Sequence, residues 1–183
     1  MNDDPKTRLF VAIPLPDFVK ERLNALHEEL PHLRWTQRDN LHLTLKFIGE
    51  VDETTKEQIQ KQLRTIQVKP FLLAISGVGA FPERGNPAVL WAGFGSAHPH
   101  LFQLHKQIND ALFSIGIEPD RRVYRPHVTL SRCKGVSRES LHTFLRQQAD
   151  LETAPFRVNQ FELFSSELLP EGPLYQRVES YSL

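Results

Sequence analysis

Residues 42–45 read His-Leu-Thr-Leu, and residues 127–130 read His-Val-Thr-Leu. On an extended strand, residues two apart point to the same face about 6.6 Å from each other. His42 and Thr44 therefore share one face while Leu41, Leu43 and Leu45 share the other, and His127 with Thr129 likewise oppose Val128 and Leu130. Each strand can anchor an apolar side in a core and present imidazole plus hydroxyl on the other. An imidazole with an ordinary pKa near 6.5 gives or takes a proton close to neutrality. Two of them on opposite sides of a phosphorus atom would supply an acid and a base, each worth roughly 10²–10⁴ in rate. The Thr44 and Thr129 hydroxyls could donate to non-bridging oxygens as charge builds on them. Such a scheme asks for no metal and no cofactor.

The elements around the two motifs repeat. The spacing predicts a strand at 9–13 and a helix from Asp17 carrying Val19, Leu23, Leu26 and Leu30 on one side. The first motif strand spans 41–48, and Thr54 to Glu57 reads as a capping box before a second helix. Strands follow at 71–78 and 88–94, parted by the turn-like run Pro82–Pro87. A third helix carries Leu101, Leu104, Ile108, Leu112 and Ile115. The second motif strand lies at 126–131, a fourth helix starts after Ser137, and strands near 156–164 and 173–181 end the chain, parted by Pro-Glu-Gly-Pro.

Shifted by 85 positions, the halves align without a gap: His42 on His127, Thr44 on Thr129, Leu45 on Leu130, Val51 on Val136, Pro70 on Pro155 and Phe71 on Phe156. This is the mark of an internal duplication. Two copies of one α+β unit are too few for a solenoid. They are expected to pair face to face about an approximate twofold axis, which brings both polar faces to one groove.

Composition narrows the class. The 183 residues, 40% apolar and 24% charged, suit one globular domain. No apolar run reaches the ~20 residues that cross a bilayer, and the start of the chain lacks the apolar stretch of a secretory leader. The single cysteine, Cys133, excludes an internal disulfide and any zinc site of several thiolates, and suits a reducing cytoplasm. With 22 basic against 22 acidic side chains, the chain lacks the excess positive charge of proteins that coat long nucleic acids. A nucleic-acid partner would be gripped locally, at an end.

The two tetrapeptides, together with Arg-Leu-Phe-Val-Ala-Ile at 8–13, Asn-Leu-His-Leu-Thr-Leu-Lys-Phe-Ile-Gly at 40–49, Arg-Pro-His-Val-Thr-Leu-Ser-Arg at 125–132 and the late run 163–178, resemble the tandem signature of the 2H phosphoesterase superfamily. They resemble in particular its bacterial and archaeal RNA 2',3'-cyclic phosphodiesterases, also called the 2'-5' RNA ligase family. The resemblance implies an α+β fold of two pseudo-symmetric lobes, each an antiparallel sheet with helices outside, facing each other across a central cleft. It implies one bilobal domain over 1–183, and hydrolysis of an RNA 2',3'-cyclic phosphate end to a 2'-phosphate, with a reversible 2'-5' ligation as a related transfer. Carried over by position, His42 would be proton donor to the departing 3'-oxygen, and His127 would be the acceptor that activates water. The near-symmetry of the two motifs leaves that assignment open at the level of the residues.

The same resemblance implies substrate contact for Arg132. Strict alternation, however, puts Arg132 on the face opposite His127, so it reaches the groove only where the strand twists or ends. Phe10 alternates with the apolar residues Leu9, Val11 and Ile13, and could stack on a terminal base at ~1–3 kcal/mol regardless of base identity, with core packing as its other reading. Phe47 alternates with the apolar face of its strand and is expected in the core. His98, His100 and His105, without carboxylates or thiols at ligand spacing, read as capping or surface residues, and Cys133 reads as buried. The dense basic stretch Arg121, Arg122, Arg125, Arg132, Lys134 and Arg138 is either a local phosphate grip or a solvated face. Nothing in the pattern calls for an obligate protein partner, so a monomer is expected. Two other classes compete: a non-catalytic RNA-end binder, and a metal-dependent hydrolase, which both motif strands disfavour by carrying no carboxylate.

Overall fold

A computed structural model describes residues 6–30, 33–83, 86–120, 122–133, 136–170 and 172–183. Strand β1 (Thr7–Pro14) leads to helix α1 (Asp17–Asn24), which buries Val19 and Leu23 and then tightens into a 3₁₀ turn over Ala25–Glu29. A two-residue strand β2 (Arg34–Trp35) precedes the first motif strand, β3 (His42–Val51). Helix α2 (Glu53–Leu63) has its cap two residues before the expected Thr54, because the Asp52 carboxylate accepts the Thr55 amide at 2.7 Å and caps the helix itself. The apolar run expected as one strand at 71–78 divides into β4 (Phe71–Leu73) and β5 (Val78–Phe81). Gly77, at φ +75°, turns the chain between them into a region that side chains resist.

The second copy follows: β6 (Val89–Gly93), α3 (Pro99–Phe113), the second motif strand β7 (His127–Arg132), α4 (Arg138–Gln147), β8 (Phe156–Val158) and the hairpin β9 (Gln160–Leu169) and β10 (Gly172–Ser182). Pro99 sits at the start of α3, and the His98 ring accepts the His100 amide at 3.1 Å, so His98 is the cap its position suggested. Ser137 caps α4 through the Ser140 amide. Arg121 and Lys134 of the basic stretch, parts of the turn at 82–87 and Glu171 lie outside the described residues.

The strands form one antiparallel sheet ordered β10-β9-β1-β3-β7-β6-β5, with β2 also on β7, and a separate pair β4-β8. The copies exchange elements: β5 of the first joins β6 of the second, while β9 of the second joins β1 of the first. Two contacts mark the twofold axis. Leu43 pairs with Val128, its own counterpart at the 85-residue shift, and Leu72 pairs with Arg157, again its own counterpart. A twofold axis requires such self-pairing. Leu43, Leu45, Val128 and Leu130 are at most 1% exposed, each stabilising the fold by roughly 1.5–3 kcal/mol. They fix the motif strands by their apolar side and leave the polar side turned to the groove.

Among the described residues, no helix is long and apolar enough to cross a membrane.

Candidate active site

The self-pairing of Leu43 and Val128 dictates what stands on the opposite face. His42 lies across from Thr129, and Thr44 across from His127, so the two histidines occupy the diagonal of a four-residue square. Diagonal neighbours on an antiparallel pair have Cα atoms roughly 7–8 Å apart, and His42, Thr44 and Thr129 line the cleft that opens on this face. The structure thus brings His42, Thr44, His127 and Thr129 together, as the duplication required.

The rings are oriented alike. His42 Nδ1 lies 2.7 Å from the Asn40 carbonyl and His127 Nδ1 lies 2.7 Å from the Arg125 carbonyl, the same contact at the 85-residue shift. A carbonyl only accepts, so each Nδ1 carries hydrogen and donates it. The exchangeable proton of both imidazoles is then on Nε2, with the ring orientation fixed by backbone. Asn40 is itself held, donating from Nδ2 to the Pro173 carbonyl of β10 at 2.8 Å.

Alternation breaks at the same point in both motif strands. Ala12 of β1 pairs with Thr44 and Val11 with Lys46, leaving Leu45 as the extra residue of a β-bulge. In the second copy Trp91 pairs with Thr129 and Leu90 with Ser131, leaving Leu130 extra. A bulge reverses the facing of everything beyond it. Two expectations change as a result. Phe47, expected in the core, is 68% exposed and lines the cleft. Arg132, which strict alternation turned away from His127, lines the cleft beside Thr129. Phe47 and Arg132 are counterparts at the 85-residue shift, so one device delivers an aromatic ring from one lobe and a guanidinium from the other.

The cleft has a volume of about 960 Å³ and reaches from Thr44 and Thr129 to the β9–β10 hairpin. Phe10 lies in its wall but is only 3% exposed, with its ring centroid 4.9 Å from His42, 4.9 Å from Tyr175 and 5.2 Å from Phe164. Its faces are covered by these rings, so it packs behind His42, and the open stacking surface belongs to Phe47. Tyr175, which the sequence pattern did not single out, stands edge-on to His42 at 5.4 Å. His127 has different neighbours, Phe81 edge-on at 5.2 Å and Trp91 at 6.5 Å.

Burial in this aromatic pocket lowers the His42 pKa from 6.5 to about 4, against the Asn40 carbonyl, which raises it. The positive charges of Lys20 and of protonated His127 lower it further, so the two imidazoles are close enough to influence each other's charge. In the free protein His42 is neutral at pH 7. A donor role therefore needs a negative charge in the cleft to load it.

The remaining candidates fall outside the cleft. His98 stacks on Phe71 and His100 meets it edge-on, and His105 lies flat on Tyr124 at 3.9 Å with burial lowering its pKa. Among the described residues no three His, Cys, Asp or Glu side chains gather as a metal site would require. Cys133 is buried, and burial raises its thiol pKa. Arg125 pairs with Glu83 at 2.5 Å and Arg122 is exposed. From the basic stretch, Arg132 lines the cleft.

The family model for LigT like phosphoesterases matches residues 13–91 and matches again over 95–175, one copy per half. The RNA 2',3'-cyclic phosphodiesterase of Aeropyrum pernix is 33% identical over 85% of this chain and 91% of its own. That of Methanothermobacter thermautotrophicus is 31% identical over 97% of this chain and all of its own. Among solved structures, the Thermus thermophilus protein TT0787 superposes with a TM-score of 0.82 at 26% identity, covering 96% of this chain and 97% of its own.

Proposed function

This chain belongs to the LigT like phosphoesterase family, and on that footing we propose that it hydrolyses RNA 2',3'-cyclic phosphate ends to 2'-phosphates by acid–base catalysis between His42 and His127. The observation that carries the reading is the pair of imidazoles on one diagonal, both with Nδ1 tied to backbone and Nε2 left for proton exchange. Relatives spanning nearly the whole chain bear the name of that activity.

In the reaction, His127 Nε2 takes a proton from water as the water oxygen bonds to phosphorus. The bond from phosphorus to the 3'-oxygen breaks, and His42 Nε2 delivers its proton to that oxygen. The 2'-oxygen keeps the phosphoryl group. Thr44 and Thr129 donate to the non-bridging oxygens, and Arg132 adds positive charge where the transition state gathers negative charge. Phe47 offers a ring to the terminal base, a contact that accepts any base, while Phe10 holds the His42 ring from behind. No step calls for a metal. A 5'-hydroxyl in place of water would run the same transfer as a 2'-5' ligation. The unit acts as one bilobal domain, needs no protein partner, and fits a reducing cytoplasm through its single buried thiol.

The test is product analysis on an oligoribonucleotide ending in a 2',3'-cyclic phosphate. Wild type should yield the 2'-phosphate, and His42→Ala and His127→Ala should each lose at least ~100-fold in rate while keeping their fold. Wild-type rates in either variant would defeat the two-histidine mechanism. Tight binding of the end without turnover by wild type would select the non-catalytic reading, and activity abolished by EDTA and restored by a divalent ion would select the metal-dependent one.

A further inference from the structure

The bulges at Leu45 and Leu130 expose one residue of each motif strand to the cleft, and they also turn another inward. Lys46 and Ser131, counterparts at the 85-residue shift, are 2% and 0% exposed. Neither is in the cleft. Lys46 Nζ donates to the Glu118 carbonyl at 2.8 Å and pairs with the Asp120 carboxylate at 3.2 Å. Glu118 and Asp120 lie on the segment between α3 and β7, which delivers His127. Ser131 Oγ donates to the Arg34 carbonyl at 3.0 Å, and Arg34 lies on the segment that delivers His42. Each motif strand thus holds the approach to the other. Tyr124, three residues before His127, adds a third tie by donating from its hydroxyl to the Thr44 carbonyl at 3.1 Å.

The Lys46 and Tyr124 ties stand where the sheet is weakest, and the Ser131 tie reinforces the short β2–β7 ladder, in which Arg34 pairs with Arg132 and Trp35 with Ser131. Between β3 and β7 the described ladder has the single pair Leu43–Val128, whereas β1–β3 carries eight. One pair fixes a contact point but resists rotation of the lobes poorly. The buried donors reach across on the far side of the sheet, at positions that would oppose such a rotation.

We propose that Lys46 and Ser131 form a reciprocal clasp that sets the spacing of the two catalytic imidazoles, so that both are positioning residues for phosphoryl transfer. Neither touches substrate. The role rests on the two-histidine reading above, and a displacement near 1 Å at such a site is enough to cost about 100-fold in rate.

Lys46→Met keeps the apolar stem and removes the ammonium, and Ser131→Ala removes the hydroxyl. Both should lower kcat on the cyclic-phosphate oligonucleotide by ~10- to ~100-fold with KM within about threefold. In a His42→Ala background, where two imidazoles no longer cooperate, each should cost less than about twofold. Equal fractional losses in both backgrounds, or kcat within about twofold of wild type in both single variants, overturns the clasp. Tyr124→Phe, which deletes one hydroxyl, carries the same comparison if Lys46→Met does not fold. A second readout does not use turnover. Inorganic phosphate titrated into protein with ¹⁵N-labelled histidines should move His42 and His127 signals with one dissociation constant in wild type, at least ~10-fold weaker in Lys46→Met and Ser131→Ala. Unchanged affinity at both rings in both variants overturns the clasp as well. Wild type that leaves the oligonucleotide intact removes the hydrolase reading, and the phosphate titration then decides the clasp by itself.

Discussion

Burial of His42 makes proton uptake on anion binding a quantitative expectation. With a pKa of about 4 in the free protein, roughly one molecule in a thousand carries a protonated His42 at pH 7. Restoring the proton at that pH requires about 4 kcal/mol. A single negative charge 4 Å from the ring, at an effective dielectric constant near 20, supplies about 4 kcal/mol. The two magnitudes match, so an anion held against Nε2 is sufficient to charge the ring it needs as donor. Sulfate is the probe of choice, since it has no proton of its own to exchange near neutrality. Calorimetric titration with sulfate at pH 7, in buffers of different ionisation enthalpy, should report uptake of about half a proton per protein or more, since that energy lifts the pKa to about the working pH and sulfate carries two charges. His42→Asn should remove most of that uptake. If wild type binds sulfate without taking up a proton, or if His42→Asn leaves the uptake unchanged, the account of how His42 is loaded is wrong.

Removing the Phe47 ring with Phe47→Ala should raise KM for cyclic-phosphate oligonucleotides by ~5- to ~150-fold, the equivalent of ~1–3 kcal/mol of stacking. The loss should be similar for all four terminal bases, and the thermal midpoint should barely move because the ring is 68% exposed. A strongly destabilised Phe47→Ala with unchanged KM would return Phe47 to a packing role. Arg132→Met keeps the stem and removes the charge. It should lower kcat/KM by ~10-fold or more and flatten the salt dependence of KM, and steady-state rates at two ionic strengths test both. His42 also affects stability. Its native pKa lies below the unfolded value of 6.5, so the unfolded chain binds a proton that the native chain refuses. That part of the stability is intact above pH 6.5 and is lost as pH falls toward 4, by about 3 kcal/mol. Denaturant unfolding across that range should show a shallower decline in His42→Gln, and identical slopes would contradict the burial effect.

The duplication and the placement of the four candidate residues were legible in the sequence because both follow from period. His42, Thr44, His127 and Thr129 each sit one residue from a leucine or valine that the core holds, and alternation alone puts them on one face. Alternation failed two and three residues further on. Phe47 and Arg132 were misplaced because a bulge leaves no mark in apolar patterning, and Leu45 and Leu130 are as apolar as their neighbours. Strict period two keeps Lys46 on the cleft face with His42 and Thr44, so its burial against Asp120 was as illegible as the bulge that causes it. Helix starts were harder. Thr54 and Glu57 form a valid capping box, yet Asp52 lies two residues earlier with a carboxylate already placed for the Thr55 amide. Tyr175 could not be found by period at all, since its contact with His42 spans 133 residues and depends on β9 crossing into the first lobe.

The twofold axis explains why two similar histidines meet, but a perfectly symmetric site would give them one pKa and no reason to take different roles. The structure breaks the symmetry in the surroundings and leaves the motifs alike. Strands β9 and β10 lay Phe164 and Tyr175 beside His42, and β1 adds Phe10. Across the axis, β5 (counterpart of β9) and β6 (counterpart of β1) give His127 the rings of Phe81 and Trp91, and β10 has no counterpart among the described strands. Part of the burial of His42 is therefore imposed by β10, which brings Tyr175 and has no equal in the other half. Under the proposed roles, the burial that keeps His42 uncharged in the empty site makes its charge depend on the substrate, which would tie the presence of the acid to that of the phosphate. The duplication supplies the geometry, and under the proposed mechanism the unmatched strand β10 would supply the division of labour.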